Sequence, residues 1–139
     1  MPTVGLERRM TALLAGMNAM GDYPMSLVCT EQGLLVASAG ESERGEVLAG
    51  LTSLCNDILL RAIRDLAFTR VDEITLVDAA LGRFVIRPLA QSRAPRLYLV
   101  VHVPRQRSWR RNTSITSRKL DQMIAPLFSP EEPPADEAE

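Results

Sequence analysis

An arginine-rich segment around the single tryptophan is the residue group of this 139-residue sequence that is best suited to recognition chemistry. Residues 105–111 read RQRSWRR. Arginine and tryptophan are enriched in protein interface hot spots, and guanidinium groups also bind the phosphates of lipids and nucleic acids. Protein docking, an anionic membrane or nucleic acid, and a merely solvated loop all stay open as interpretations. The partner-binding candidates are Arg105, Arg107, Trp109, Arg110 and Arg111.

Residues for catalysis are not arranged in any recognisable pattern. The one histidine, His102, lies between Val101 and Val103, and neither a nucleophile nor an orienting group can be assigned to it. The glycines form neither GxxxxGK[ST] nor GxGxxG, so no nucleotide-binding loop is indicated. We therefore expect no enzyme activity, no cofactor and a packed role for His102.

The two cysteines, Cys29 and Cys55, lie in apolar segments without CxxC spacing. This placement favours reduced core residues over a disulfide framework or a zinc site. It also favours the cytoplasm, where thiols stay reduced. No stretch approaches the 18 or more apolar residues of a membrane span.

Charge divides the sequence into two parts. Residues 83–120 contain ten Arg or Lys and no acid, whereas 129–139 contain five acids and no base. The length suits one domain, and the acidic, proline-rich end lacks the apolar residues that ordering requires. We expect one domain over 1–128 and a disordered tail over 129–139.

A long amphipathic helix is predicted over Ser42–Phe68, with Ser42 as its N-cap. The helix has a wide arc of apolar residues, which is expected to cover a sheet. Beside this arc lies a second line of small or apolar residues, so that only a narrow side of the helix is polar. Asn56, in that second line, is either a dimer contact that fixes register or an amide beside a solvated face. The arc is Val47, Leu48, Leu51, Leu54, Cys55, Ile58, Leu59, Ala62 and Leu66, and the second line is Ala49, Asn56, Leu60, Ile63 and Ala67.

The remaining periodicity predicts two further helices and five strands. Together they indicate an α+β fold in the order α-β-β-α-β-β-β-α, with a mainly antiparallel five-stranded sheet and helices on both faces. Asp72–Asp78 is expected at an edge and Arg96–Val103 at the centre, with pairing weakened at Pro88. The other predicted elements are Val4–Met20, Met25–Thr30, Leu34–Ser38, Arg83–Leu89 and a last helix capped by Asn112, Thr113 or Ser114 and ended by Pro126.

This order resembles the roadblock family of dynein-light-chain-like domains, which are similar to longin domains in fold. The resemblance runs from about Leu6 to Leu127. It rests on a hairpin reading EQG then LLVAS, the long helix, and the segments ITLVDAALGRFVIRPL and RLYLVVHVP. It implies a non-enzymatic homodimer that pairs through the long helix and the strand after it. The implied interface is Ala49, Asn56, Leu60, Ile63, Ala67, Ile74, Thr75, Leu76 and Val77.

The resemblance also implies partners. Roadblock domains often serve as platforms or regulators for small Ras-like GTPases. In gliding bacteria one kind stimulates its GTPase, while another acts as an adaptor to that regulator or to other polarity proteins. We expect an adaptor or regulator of a bacterial Ras-like GTPase system for motility or polarity. Its partners would be a GTPase, another roadblock protein or a response-regulator-like protein. The alternatives are a direct GTPase activator and a binder of nucleic acid or anionic membrane through residues 105–111, both less favoured.

Overall fold

The computed structural model describes residues 2–41, 43–89 and 95–128, which form three helices and one five-stranded sheet. The predicted α+β element order is confirmed, while the expected tail at 129–139 lies outside the described residues. The elements are α1 (Pro2–Gly21), β1 (Met25–Thr30), β2 (Leu35–Gly40), α2 (Gly45–Asp65), β3 (Ile74–Asp78), β4 (Gly82–Leu89), β5 (Leu97–Val103) and α3 (Arg110–Phe128).

The sheet has the strand order β2-β1-β5-β4-β3, and each pair of neighbours is antiparallel. The central strand is β5, as its continuously apolar sequence predicts, and all of its residues except His102 are buried. His102 Nε2 lies 2.9 Å from the Leu81 carbonyl oxygen, and its ring stacks on Phe84. The predicted edge strand β3 does lie at an edge, and β2 forms the other.

Helices cover both faces of the sheet, so its strands bury alternate residues in two separate cores. Val28 and Val101 face α1 and α3, whereas Leu27 and Val100 face α2. Buried helix residues complete the first core with Met10, Leu14, Leu120 and Ile124, and the second with Leu48, Ala49, Cys55 and Leu59.

Both cysteines are free and buried, as expected of core thiols. Burial raises the pKa of the Cys29 thiol to about 11, and a side-chain hydrogen bond with Thr52 offsets part of that effect. Burial also raises the pKa of Cys55. Since the thiolate is the reactive form, both groups are chemically quiet near neutral pH.

The helix ends differ from the sequence-based expectations. The N-cap of α2 is Arg44, which makes no side-chain capping bond, so the cap expected at Ser42 is wrong. Ser42 itself is outside the described residues. Helix α3 begins at Arg110, before the three expected capping residues. Thr113 lies inside the first turn, where its Oγ1 donates to the Trp109 carbonyl (2.7 Å) and does not cap the helix. Pro126 does not end α3, which continues to Phe128.

Strand β4 keeps its register through Pro88, contrary to the expected weakening. Pro88 pairs with Tyr98, and Leu89 pairs with Leu97. The proline is tolerated because β3 reaches only as far as Ile86, so β4 has a neighbour on one side at Pro88.

The β1–β2 hairpin depends on glycines at its two ends. Gly33 has φ +88° in the turn, as the sequence predicts, and its amide donates to the Thr30 carbonyl at 2.9 Å. Gly40 also has φ +88°, and a Cβ there would lie 2.2 Å from the Pro24 carbonyl oxygen. Only glycine permits both the positive φ and this close approach.

We predict that Gly40→Ala lowers the free energy of unfolding by about 3 kcal/mol, because it adds a left-handed backbone penalty to a clash with the main chain. Urea denaturation followed by circular dichroism measures the change. Gly16→Ala is the control: its Cβ meets nothing within 4 Å inside α1, so it should stabilise by about 0.5–1 kcal/mol. Equal stabilities of the two variants would contradict the geometry at Gly40.

Candidate protein interaction surfaces

The solvent-facing side of α2 carries a continuous apolar line. Val47, Leu51, Leu54 and Ile58 follow the i, i+4, i+7, i+11 spacing of one helix face. Of these side chains, Val47 is 72%, Leu54 61% and Ile58 58% exposed. We call these four residues the outer stripe. A contiguous apolar surface of this kind marks a protein interaction site.

The expectation that the whole wide arc covers the sheet is therefore wrong for the outer stripe. The sheet-facing side of α2 is narrower and includes a polar residue. Thr52 is fully buried because its hydroxyl donates to the Leu48 carbonyl at 2.7 Å. A polar residue that is satisfied inside its own helix gives no sequence signal of burial. The buried side consists of Leu48, Ala49, Thr52, Cys55 and Leu59.

Ala49 and Asn56 of the predicted interface also face the chain's own sheet. Ala49 is 0% exposed. Asn56 Oδ1 accepts hydrogen bonds from the Tyr98 hydroxyl at 2.5 Å and from Arg96 Nη1 at 3.3 Å. Burial raises the pKa of Tyr98 well above its usual range, so its hydroxyl stays a donor. The half-buried amide thus makes hydrogen bonds within the chain, which argues against its expected place in a dimer contact.

The other α2 residues of the predicted interface have mixed positions. Leu60 is 44% exposed, and Ile63 is half-buried against the second core. Ala67 follows the end of the helix, is exposed and has φ +59°. Their pairing with a second copy stays a prediction.

Strand β3 supplies the remaining residues of the predicted interface. Leu76 and Val77 are exposed, Val77 to 69%, while Ile74 and Thr75 are half-buried. No described strand pairs with the outer side of β3. Backbone amides of Leu81 and Ala80 donate to Asp78 at the strand end, and they lower the pKa of its carboxyl.

The outer stripe and β3 lie on the same side of the molecule. Leu48 lines a cleft with Leu81 and Phe84 of the β3–β4 hairpin, whereas Ala49 contacts Gly33 of the β1–β2 turn. Successive helical residues are about 100° apart, so Leu51 lies about 60° beyond Leu48 in the direction away from Ala49. The outer stripe is therefore turned towards β3, and Leu60 is turned away from it.

Several side chains of the arginine–tryptophan segment make contacts within the chain, so the interpretation as a merely solvated loop is wrong at Trp109. Two guanidinium groups lie over the indole ring, with Arg83 Cζ at 4.3 Å and Arg110 Cζ at 4.4 Å from its centroid. Trp109 Nε1 donates to the Glu73 carboxylate, with both oxygens at 3.2 Å. These contacts join the start of α3 to β4 and to the residues before β3.

The five partner-binding candidates do not form one surface. Arg107 donates to Asp22 at 2.7 Å, and Arg110 stacks on Trp109. Arg105 lies beside the β3–β4 hairpin, and Arg111 lies next to α1. Sequence reasoning missed Glu73 and Arg83, because their contacts with Trp109 span 36 and 26 residues.

In the parts of the chain that the structure describes, no group of three or more His, Cys, Asp or Glu side chains could hold a metal ion. None of the described helices is long and apolar enough to cross a membrane.

Comparison with known proteins decides the fold. No protein-family model and no curated protein sequence matches the chain. A solved structure described as Myxococcus xanthus MglB superposes with a TM-score of 0.75 at 15% identity, over 85% of this chain and 96% of that one. A roadblock/LC7 domain from Streptomyces avermitilis gives 0.67 at 13% identity, over 84% and 95%. The chain has the roadblock fold.

A second MglB structure, a gliding protein from Thermus thermophilus, agrees with the roadblock assignment. It gives a TM-score of 0.73 at 12% identity and covers 87% of this chain and 92% of its own. Such low identities establish the fold alone, because one fold supports many functions. The predicted roadblock-like architecture is thus confirmed.

We predict that Trp109→Ala lowers the free energy of unfolding by about 2 kcal/mol, since it removes both stacked contacts and leaves Glu73 without its indole donor. Trp109→Phe keeps an aromatic ring and should cost about 1 kcal/mol through the lost hydrogen bond. Urea titration followed by circular dichroism measures both. Wild-type stability in both variants would show that the segment is not anchored.

Proposed function

We propose that this chain is a non-enzymatic, homodimeric roadblock module of the cytoplasm that acts as an adaptor or regulator in a bacterial small Ras-like GTPase system for motility or cell polarity. The observation that carries the proposal is the exposed outer stripe, which is turned towards the side of the sheet where the edge of β3 is unpaired. Four solvent-facing apolar residues and an open strand edge are both features that favour association with another chain.

The proposed dimer is isologous, with the same surface contributed by each copy. Pairing of β3 with its symmetry mate would give hydrogen-bond partners to the backbone N–H and C=O groups on the open side of β3, and it would join two five-stranded sheets. The outer stripes would then pack across the two-fold axis above the joined strands. Ile74, Thr75, Leu76 and Val77 keep their place in this proposed interface. Val47, Leu51, Leu54 and Ile58 replace Ala49, Asn56 and Leu60, because Leu60 is turned away from β3.

Two observations support a regulatory role. Similar structures include MglB proteins, one of them described as a gliding protein. Two of the arginines that could reach into the active site of a partner GTPase already make contacts within this chain: Arg107 binds Asp22, and Arg110 stacks on Trp109. These internal contacts favour an adaptor over a direct activator, because an arginine finger must be free to reach a transferring phosphoryl group.

We predict that Leu54→Glu in the outer stripe converts the dimer into a monomer, because dimerisation would bury an unpaired carboxylate. Leu60→Glu is the matched control, since Leu60 is an exposed leucine of the same helix that is turned away from β3. Size-exclusion chromatography with light scattering measures the mass against the 15.3 kDa chain.

The wild type and the Leu60→Glu variant should show twice the chain mass at micromolar concentration. A monomeric wild type would contradict the dimer. Dissociation by Leu60→Glu alone would instead place the interface on the line that the sequence first suggested.

We predict that adding the dimer to its cognate Ras-like GTPase leaves the single-turnover rate of GTP hydrolysis within about twofold of the GTPase alone, because Arg107 and Arg110 are held by contacts within the chain and are not free for transition-state stabilisation. Phosphate release measures the rate, and co-elution measures binding. A rate increase of several hundredfold would identify a direct activator, whereas failure to co-elute would contradict the role in a GTPase system.

A further inference from the structure

Helices α1 and α3 leave an open groove between them on the sheet face opposite α2. The groove has a volume of about 450 Å³ and is lined by residues between positions 12 and 20 of α1 and between 111 and 119 of α3. Its walls are apolar or small at Leu13, Gly16 and Ile115, and Met20 at its border is 80% exposed. A Cβ at Gly16 would meet nothing within 4 Å. The groove therefore has space for a further structural element.

The two helices run antiparallel along this groove. The end of α1 lies at the start of α3, because the Tyr23 hydroxyl donates to the Ser108 carbonyl at 2.5 Å and Asn112 Nδ2 donates to Tyr23 at 3.1 Å. Both helices pack on the same sheet face. At 1.5 Å per residue, the lining positions extend over roughly 12 Å of each helix, which is the length of about two to three helical turns.

A helix suits this groove better than an extended segment does. Both walls are helices, whose backbone N–H and C=O groups are bonded within each helix, so the groove offers no strand edge for pairing. An extended segment would leave its own backbone groups unpaired against the apolar walls, and each such group costs free energy. A helix pairs its own backbone groups and contacts a groove through apolar residues at i, i+3, i+4 and i+7. The geometry thus selects an amphipathic helix as the occupant.

The border of the groove is cationic. Arg111 and Lys119 line it from α3, and both side chains are exposed. They are eight residues apart, which is roughly 12 Å along the helix. Neither of them forms an ion pair with another described residue. Helical spacing places Arg9 on the groove side of α1, so both helices contribute positive charge.

The stretches of α1 and α3 that form the groove carry no acid to offset these charges. Residues 8–21 and 110–120 contain six Arg or Lys and no Asp or Glu. Glu7 and Asp121, the acids next to these ranges, are each two positions from a groove cation and therefore about 160° around the helix from it. The positive potential along the groove is thus uncompensated on its own side.

We propose that the α1–α3 groove binds an acidic amphipathic helix of another protein, with the apolar face of that helix against Leu13, Gly16 and Ile115 and its carboxylates beside Arg111 and Lys119. The chemistry of the partner follows from the groove, because apolar walls accept an apolar face and a cationic border accepts acidic flanks. The same face of a second copy does not fit, since it would bring like charges together. This inference rests neither on the dimer nor on a GTPase.

A synthetic helical peptide of about 14 residues tests the groove. It carries leucines at i, i+3, i+4 and i+7 of one face, and glutamates seven positions apart on both sides of that face. We expect fluorescence anisotropy with the full chain in low salt to give a Kd below about 100 μM. A peptide with glutamines in place of the glutamates should bind about tenfold more weakly, because it forms no ion pairs with the border.

A pair of glycine variants locates the binding site. Gly16→Leu fills the groove and places a better helix former in α1, so the chain stays folded and binding should weaken about tenfold or more. Gly50→Leu is the matched control, because Gly50 is an exposed glycine of α2 with equal space for a Cβ. This control should bind the glutamate peptide as the wild type does.

Charge reversal tests the border. Arg111→Glu combined with Lys119→Glu should abolish binding of the glutamate peptide and restore binding to a peptide with lysines at the same positions. The control combines Arg70→Glu with Arg105→Glu, which makes the same change in net charge at exposed residues away from the groove. It should leave the preference for the glutamate peptide intact.

Equal binding of the glutamate and glutamine peptides would overturn the proposal, as would no detectable binding of either. Binding that Gly50→Leu weakens and Gly16→Leu does not would also overturn it, because the peptide would then lie on α2. A larger assembly in light scattering that Gly16→Leu dissociates would show that a second copy occupies the groove instead. Co-sedimentation with phosphatidylserine vesicles in place of peptide binding would assign the cations to a lipid surface and equally overturn the proposal.

Discussion

The hydrogen bond between Asn56 Oδ1 and the Tyr98 hydroxyl fixes the rotation of α2 on the sheet. Helix α2 has apolar residues on more than one side, so hydrophobic burial alone would allow several rotations. A buried tyrosine hydroxyl without a partner costs about 1–3 kcal/mol, and this cost favours the rotation in which Asn56 meets β5. The outer stripe is left in water as a consequence.

This one orientation separates two kinds of surface. On the α2 side, the outer stripe is turned towards the open edge of β3, and both features favour association with a second copy. On the opposite face, α1 and α3 form a groove with an apolar floor and a cationic border. The sheet between them is covered on both faces, so a partner on one side leaves the other accessible.

The Trp109 cluster connects these surfaces. Arg83 and Arg110 stack on the indole ring, and Glu73 accepts from its Nε1. The segment read as a candidate docking loop thus anchors the start of α3 to the β3–β4 side of the sheet. Arginine and tryptophan have the same contact chemistry inside a chain as between chains, so composition could not separate an internal anchor from an external hot spot.

The sequence by itself determined the element order, the central place of β5, the edge place of β3, the turn at Gly33 and the quiet chemistry of both cysteines, because periodicity, β-branching and glycine act locally. Only the tertiary structure decided which line of α2 is buried, that Asn56 binds Tyr98, and that Trp109 meets Arg83 and Glu73. Those outcomes depend on contacts between residues 26 to 42 positions apart. The spacing of residues along one helix shows which of its faces are apolar. Which of those faces is buried depends on how the helix packs on the neighbouring strands.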